Sequence, residues 1–186
     1  MRGSLLRTAA IFYGILVLVA GSIGALSGRN VFVPGGAIAS SFTLGVASAC
    51  GTVALGLLVH GLLPVFRKLS EELAPLVVDG ARGRDLVLLA VFSGVGEEAL
   101  FRGALQPEIG IVASSLLFGV LHLGPDKRYL LWTLWAVGAG FLFGGLYGWT
   151  GGILAPVVAH ALHNAATLLL WRRHRLGGRV ASGEVA

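Results

Sequence analysis

The sequence has few charged residues and a single cysteine, and each shortage excludes a class of protein. Only 12% of its residues are charged whereas 55% are hydrophobic, and about a quarter of the residues of an ordinary soluble domain are charged. This balance indicates an integral membrane protein. The lone Cys50 excludes an intramolecular disulfide, and its small apolar neighbours are typical of packing rather than of an activated thiol.

The sequence also lacks the pattern of a nucleic acid-binding protein, although its formal net charge is +5. No stripe of basic residues interleaved with aromatic residues is present. In a membrane protein the basic residues report orientation instead. We therefore expect membrane lipids, and no nucleic acid, among its partners.

Six apolar segments approach or exceed the roughly 20 residues that a helix needs to cross a bilayer. They cover residues 5–26, 38–63, 85–105, 109–124, 129–149 and 152–172, and the fourth is short. The sequence thus predicts an all-α bundle of about six transmembrane helices with a polar intramembrane cavity. We expect one domain over residues 1–176 and a flexible C-terminal tail over 177–186.

The basic residues predict the orientation of these spans. If the N-terminus is cytoplasmic, twelve of the fourteen Lys and Arg residues fall on the cytoplasmic side. Arg29 alone faces outside, and Arg102 lies within the membrane. Six spans then place both termini in the cytoplasm.

Two other sequence features concern packing and the cytoplasmic face. The connection from Phe66 to Asp85 alternates charged and apolar residues at helical spacing, which predicts an amphipathic helix lying on the cytoplasmic face. The small-residue stretches 138–140 and 144–145 predict close contacts between transmembrane helices.

Two adjacent glutamates, Glu97 and Glu98, interrupt the third span. Each acidic side chain near the bilayer centre costs about 2.5–3.5 kcal/mol on insertion scales, so such residues indicate a functional site. Successive helical residues point about 100° apart, and Arg102 lies four residues after Glu98 on the same face. We therefore expect Glu98 to pair with Arg102, leaving Glu97 to polarise a water molecule as a general base.

The remaining polar residues at depth are histidines and one asparagine. His122 ends the fourth span, and His160 and Asn164 are spaced i,i+4 on the sixth. That spacing aims both side chains in one direction, where two donors can stabilise an oxyanion. His163 projects to a neighbouring direction, and we interpret it as a packing or supporting residue.

The same residues raise the question of a metal ion. Glu97, His122 and His160 could bind zinc as three protein ligands with a water. The sequence lacks the His-Glu-x-x-His spacing that places two ligands and a base on one helix. Water activation by Glu97 and His122 without a metal is equally coherent, so both alternatives stay open.

Three ordered motifs resemble the CPBP family of intramembrane proteases, which includes the CAAX prenyl endopeptidases and bacterial abortive-infection and bacteriocin-processing relatives. They are Glu97-Glu98-x-x-x-Arg102, Phe118-x-x-x-His122 and His160-x-x-x-Asn164, and the stretch 151–156 resembles the usual lead-in to the third. The resemblance covers residues 85–170. It implies a helical membrane fold with a cytoplasm-facing cavity, in a bacterial inner membrane.

Carried over by residue, the resemblance implies specific roles. Glu97 and His122 would activate water, His160 and Asn164 would stabilise the oxyanion, and Glu98 with Arg102 would support the site. Members are often called metalloproteases, although glutamate-dependent catalysis without metal has been argued, so Zn²⁺ stays open. This chain is shorter than eukaryotic members, and we do not carry a prenylated CAAX substrate over to it.

Three hypotheses follow for function. The first is an endopeptidase that hydrolyses a peptide bond in a membrane-associated or hydrophobic peptide or membrane protein. The second is a catalytically silent scaffold that binds a peptide or partner in an immunity or regulatory role. The third is an ion- or proton-coupled carrier, since intramembrane Glu and His can form relays; no inverted repeat supports it.

Overall fold

The computed structural model describes residues 2–181, with side chains described for residues 5–177. Every regular element in this range is helical, which confirms the predicted fold class. The elements are α1 (Arg2–Leu26), α2 (Ile38–Leu62), α3 (Pro64–Val78), α4 (Gly83–Glu98), a π-helical segment (Ala99–Leu105), α5 (Gln106–Val120), α6 (Tyr129–Thr150) and α7 (Leu154–Ala181). Five helical stretches within the described residues are long and apolar enough to cross a membrane.

The third and fourth predicted spans follow one another directly within the stretch Gly83–Val120, which folds back on itself. Gly110 breaks it with φ 79° and ψ 165°, a conformation that glycine adopts without a steric penalty. Phe101 and Phe118 lie on either side of the break, and their ring centroids are 5.0 Å apart. On a straight helix they would be about 25 Å apart. The segments before and after Gly110 therefore lie side by side as two helices. The second ends at Val120 rather than at the predicted residue 124.

The contacts between loops fall into two groups, one at each end of the bundle. At one end, hydrogen bonds join residues 27–36 to Glu108 and to residues 150–154. At the opposite end, ion pairs join α3 and the residue after it to Arg128 and Arg175. This separation fits a chain with six crossings, and it places the start of α1 and the end of α7 at the α3 end.

Helix α3 is the amphipathic helix predicted between the second and third spans. Its buried residues Leu69, Ala74 and Val78 face the bundle, and the latter two form a small core with Leu86 of α4. Pro64 occupies the first turn, where the missing N–H costs no helical hydrogen bond. The helix thus lies against one end of the bundle.

The small residues of α6 divide into two groups. A Cβ at Gly140 would lie 3.0 Å from Ser115 Cβ, and one at Gly144 would lie 2.7 Å from Gln106 Oε1, whereas Gly138 and Gly145 face open space. Close helix contact therefore involves Gly140 and Gly144, one turn apart, and the prediction is wrong for the other two.

Helix α7 begins against the loop that follows α1. The backbone N–H groups of Ile153 and Leu154 donate to the carbonyls of Val33 and Pro34, at 2.9 and 3.2 Å. A side chain at Gly152 would overlap the backbone of residues 33–35. The helix continues to Ala181, past the predicted start of the tail at residue 177. Residues 182–186 lie outside the described part of the chain, so the domain and tail boundaries stay a prediction.

Candidate active site

Helices α4 and α7 run antiparallel and bring two polar motifs to one level. Glu97 lies about 21 Å along α4 from Gly83, and His160 lies about 9 Å along α7 from Leu154, at 1.5 Å per residue. Because the two helices start at opposite ends of the bundle, these distances add up to the thickness of a hydrocarbon core, about 30 Å. Glu97 and His160 therefore lie at the same depth. Gly94 allows the approach, because a Cβ there would lie 3.0 Å from Ala161. The residues around Glu97 therefore meet inside the membrane-spanning part of the bundle.

The predicted Glu98–Arg102 ion pair is present and fully buried. Arg102 Nη1 donates to Glu98 Oε1 at 3.2 Å, and Nε lies 3.1 Å from Oε2 without the alignment of a hydrogen bond. Both residues have a relative exposure of 0%. A buried charge needs such a partner because desolvating it alone is costly.

Arg102 itself lies in the π-helical segment, which the sequence did not predict. π-Helical turns are rare and occur frequently at functional sites. Arg102 Nη2 donates to the carbonyl of Gly140 at 3.1 Å, and its guanidinium stacks 4.6 Å from the Phe118 ring centroid. The arginine therefore holds α4, α5 and α6 together beside the glutamates.

His160 contacts both glutamates, so it links the ion pair to the free carboxylate. Its Nδ1 lies 2.7 Å from Glu98 Oε1, and its Nε2 lies 4.0 Å from Glu97 Oε2. The ring stacks on Phe143, at 5.0 Å between centroids and 19° between planes. Because a carboxylate paired with arginine accepts hydrogen bonds, Nδ1 carries the proton. Glu98 thus orients His160 as well as neutralising Arg102, which the sequence reasoning missed.

His122 reaches the same carboxylate from the end of α5. Its Nδ1 lies 2.7 Å from the carbonyl oxygen of Phe118, and a carbonyl only accepts, so Nδ1 is again the donor. Its Nε2 lies 4.0 Å from Glu97 Oε2. The structure therefore brings together Glu97, His122 and His160, as the motifs predicted.

Three acceptor atoms consequently face one another across a small gap. In the neutral tautomers, the Nε2 atoms of His122 and His160 carry lone pairs, as does Glu97 Oε2. That oxygen is buried and has no hydrogen-bond partner among the described residues. Acceptors converge in this way around something that supplies hydrogens or positive charge: a water, an added proton or a cation.

The residues around this gap fit a zinc ion in their chemistry but not in their spacing. Their chemistry fits, since each histidine donates Nδ1–H to an oxygen, the arrangement that orients zinc-binding imidazoles. The spacing does not fit: bonds of about 2.0–2.1 Å in a tetrahedron place ligand atoms roughly 3.3 Å apart, whereas each histidine Nε2 lies 4.0 Å from Glu97 Oε2. No group of three or more side chains in the described region is arranged to hold a metal. The ligands would have to move closer together to bind one.

Asn164 lies one turn beyond His160 and faces the α4 residue one turn before Glu97. Its Nδ2 donates to Ser93 Oγ at 2.9 Å, and Ser93 in turn donates to the carbonyl of Ala90 at 3.0 Å. The asparagine therefore borders the site, oriented by a buried serine. Ser93 was not predicted, although its i,i+4 spacing to Glu97 is a signal that could have identified it.

Helix α1 contributes a residue that no motif indicated. Tyr13 packs on Gly96, where a Cβ would lie 3.0 Å from that of Tyr13, and its phenol is close enough to Glu97 to interact electrostatically with that carboxylate. A phenol in this position can donate to the charged carboxylate. The groups that face Glu97 are thus Tyr13 from α1, Arg102, and the two histidines. Because Tyr13 lies on a distant span, no local spacing could have identified it.

The exposed fraction of the side chains rises across the site. It is 0% for Glu98, 7% for His160, 13% for Glu97 and 27% for His122. The site is therefore closed on the Arg102 side and opens on the side of His122, which lies in the loop between α5 and α6. Solvent therefore has access to the site from that direction.

His163 does not contact the site, and of its two interpretations, packing or support, its contacts favour packing. Its Nδ1 lies 3.0 Å from Thr52 Oγ1 of α2, and its ring packs 5.8 Å from that of Trp135. The side chain therefore binds α7 to its neighbours on another face of the helix.

Comparison with known proteins agrees with the motifs. Residues 84–166 match the family model described as type II CAAX prenyl endopeptidase Rce1-like. An "Uncharacterized protein YpbD" of Bacillus subtilis (strain 168) is 36% identical over 80 residues, which cover 43% of this chain and 42% of the relative. The match therefore spans less than half of that relative's length. No solved structure matches.

The family resemblance that the motifs indicated is thus confirmed over the segment that carries them. The matched family model is described as a family of endopeptidases. Together with the apolar helices, it also supports an integral membrane protein.

Proposed function

Because residues 84–166 form a segment like that of the type II CAAX prenyl endopeptidases, we propose that this protein is an intramembrane endopeptidase. Its substrate is a membrane-associated or hydrophobic peptide or membrane protein. The observation that carries the proposal is the convergence of Glu97 Oε2 with two imidazole Nε2 atoms at 4.0 Å, beside a buried acid–arginine pair.

The first step of the proposed reaction is water activation. A water in the gap donates one hydrogen to Glu97 Oε2 and a second to His122 Nε2, and it attacks the peptide carbonyl as Glu97 takes its proton. Tyr13 and the buried surroundings hold the carboxylate in place. The more exposed position of His122 lets water and substrate enter beside it.

The second step is stabilisation and collapse of the tetrahedral intermediate. In the active form His160 has bound an added proton at Nε2 and donates this N–H to the oxyanion, and Asn164 Nδ2 donates as well. Glu98 stabilises the imidazolium through Nδ1. Glu97 then returns its proton to the leaving amine, so that one water has been added across the peptide bond.

A matched pair of variants tests this function. Glu97→Gln keeps the shape of the side chain but cannot accept the proton, and general base catalysis contributes typically ~10²–10⁴-fold. We expect it to lose at least ~100-fold in kcat, while Glu71→Gln, an exposed carboxylate on α3, retains full activity. The assay compares new peptide termini in membranes containing either variant or the wild type.

The main competing function is a silent scaffold that binds a peptide or partner protein without cleaving it. The Rce1-like match on its own is compatible with this role. Under that alternative, Glu97→Gln would restore the cellular phenotype of a deletion as well as the wild type does, and no new termini would depend on Glu97. Cleavage lost with Glu97→Gln rules the scaffold out.

Metal dependence is a separate question with its own measurement. If Glu97, His122 and His160 draw together around zinc, the ion would polarise the bound water. Elemental analysis of purified wild-type protein and of His122→Ala distinguishes the alternatives. A stoichiometric metal that disappears in the variant supports the metal site, and full activity of metal-free protein supports direct activation by Glu97.

We also propose that both termini are cytoplasmic and that the membrane is a bacterial inner membrane. Twelve of fourteen basic residues lie at the α3 end of the predicted topology, and cytoplasmic loops carry such an excess. Single cysteines placed in the 27–36 and 121–128 loops of a Cys50→Ser background test this orientation. We expect an impermeant thiol reagent added outside the cell to label the first loop and not the second.

A further inference from the structure

A second concave feature lies at the α3 end of the bundle, away from Glu97. This cavity, between α1 and the start of α4, has a volume of about 480 Å³. Its lining combines two kinds of residue: arginines, and apolar side chains from both helices. The arginines are Arg7, Arg82 and Arg84, and the apolar side chains are Leu6, Ala10 and Phe92.

The charges at this cavity are not balanced by acidic residues. The only acidic residue in its lining is Asp85, whose Oδ1 lies 3.6 Å from Arg84 Nε and whose Oδ2 accepts from the Arg82 backbone N–H at 3.3 Å. In the described part of the chain, neither the Arg7 nor the Arg82 guanidinium forms an ion pair. Two guanidinium groups are therefore available to an anion, and guanidinium binds phosphate with two parallel hydrogen bonds.

The polar and apolar parts of the lining are separated along α4. Phe92 lies seven residues after Asp85, which is about 10 Å along the helix, towards the middle of the span. Leu6 and Ala10 of α1 supply the facing wall. A ligand that fits both parts carries a negative charge at one end and an apolar chain at the other.

A neighbouring cavity of about 260 Å³ shares Arg82 but offers less to an anion. There, Arg172 Nε donates to the carbonyl of Ala81 at 3.1 Å, and Arg175 pairs with Asp79 at 2.8 Å. These two arginines already have partners within the protein. The cavity between α1 and α4 is thus the one with unmatched positive charge.

We propose that the cavity between α1 and α4 binds an anionic phospholipid. The phosphate lies between Arg7 and Arg82, and an acyl chain runs along Phe92, Leu6 and Ala10. The cytoplasmic leaflet carries anionic lipids, and these attract basic segments at the membrane surface. Because Phe92 is on the helix that carries Glu97, the bound lipid stabilises the helix that presents the catalytic base.

The experiment measures the thermal stability of the full chain in detergent micelles with phosphatidylglycerol or with phosphatidylcholine of the same acyl chains. A ligand that binds only the folded state raises Tm, and we expect a rise of about 5 °C or more with phosphatidylglycerol alone. The double variant Arg7→Gln/Arg82→Gln loses this rise. The charge-matched control Lys127→Gln/Arg173→Gln, which removes two exposed cations at the same end, keeps it.

Other outcomes overturn the proposal. A rise of equal size in the Arg7/Arg82 variant, or its loss in the control variant, shows attraction to diffuse charge rather than binding in the cavity. An equal rise with inorganic phosphate at the same concentration identifies a phosphate site without an acyl component. Displacement of the lipid by a hydrophobic peptide with a free carboxylate identifies the occupant as peptide. If the double variant does not fold, Arg82→Gln alone is compared with Arg173→Gln by lipid retention in native mass spectrometry.

Discussion

The buried ion pair between Glu98 and Arg102 leads to the most specific prediction about stability. Replacing Arg102 with Met fills a similar volume but leaves the Glu98 carboxylate, which has a relative exposure of 0%, without its cation. Breaking a buried pair by removing one partner costs about 3–5 kcal/mol. For a chain of 150–250 residues, each kcal/mol lowers Tm by about 2–4 °C. We therefore expect Arg102→Met to lower Tm by about 6–20 °C.

The double variant Glu98→Gln/Arg102→Met should be more stable than Arg102→Met alone. It removes both charges, so neither is left desolvated, and replacing a buried pair by neutral residues is often close to neutral. The amide oxygen of the introduced glutamine can still accept from His160 Nδ1. The lost negative charge no longer stabilises the imidazolium, and changing such a supporting partner costs about 10–100-fold in activity. The double variant is thus expected to be folded but weakly active.

Thermal unfolding in micelles, followed by the fluorescence of the four tryptophans, measures stability for the wild type, both single variants and the double variant. Activity is measured on the same samples. If the double variant is destabilised by the sum of the two single changes, the charges do not depend on each other and the reasoning is refuted. If it is stable and fully active, the role assigned to Glu98 in orienting His160 is wrong.

Two further predictions concern pH. Tyr13→Phe removes the phenol that lies beside the Glu97 carboxylate and can donate to its charged form, so we expect the low-pH limb of kcat/KM to move up by about one pH unit. In the loop between α5 and α6, hydrogen bonds from the Arg128 side chain and backbone lower the pKa of Asp126 below its ordinary value of 3.8. A carboxyl group whose pKa is lower in the folded state stabilises that state above its unfolded pKa and loses the effect as pH falls through the folded value. Hydrogen-exchange protection of residues 121–128 should therefore decrease below about pH 3.8.

Each of these predictions has a matched control. Tyr147→Phe makes the same chemical change on α6, away from Glu97, and should leave the pH profile unchanged. An unshifted profile in active Tyr13→Phe contradicts the role assigned to Tyr13, whereas an inactive wild type contradicts the proposed function instead. Asp126→Asn should show weak protection at every pH. Equal protection of this variant and the wild type at neutral pH would refute the role of the pair.

The residues that the structure brings together around Glu97 could be named from the sequence alone. Charged and imidazole groups are costly in an apolar span, so their presence indicates a functional site. In this sequence they are Glu97, Glu98, Arg102, His122 and His160. The i,i+4 spacing correctly predicted the Glu98–Arg102 pair, because neighbouring turns of a helix place such residues on one face. The length of the apolar segments predicted the helical bundle, because a helix needs about 20 apolar residues to cross a bilayer.

The connections among those residues depend on how the helices pack. His160 bridges two glutamates from a helix 62 residues away in sequence, and Tyr13 reaches Glu97 from α1. The fold-back at Gly110 depends on one backbone conformation, and apolar length alone could not place it. Local periodicity describes the faces of one helix, whereas contacts between helices depend on how closely their backbones approach. Side-chain volume at positions such as Gly94 and Gly140 sets that approach, and only the packed bundle shows which helix meets which.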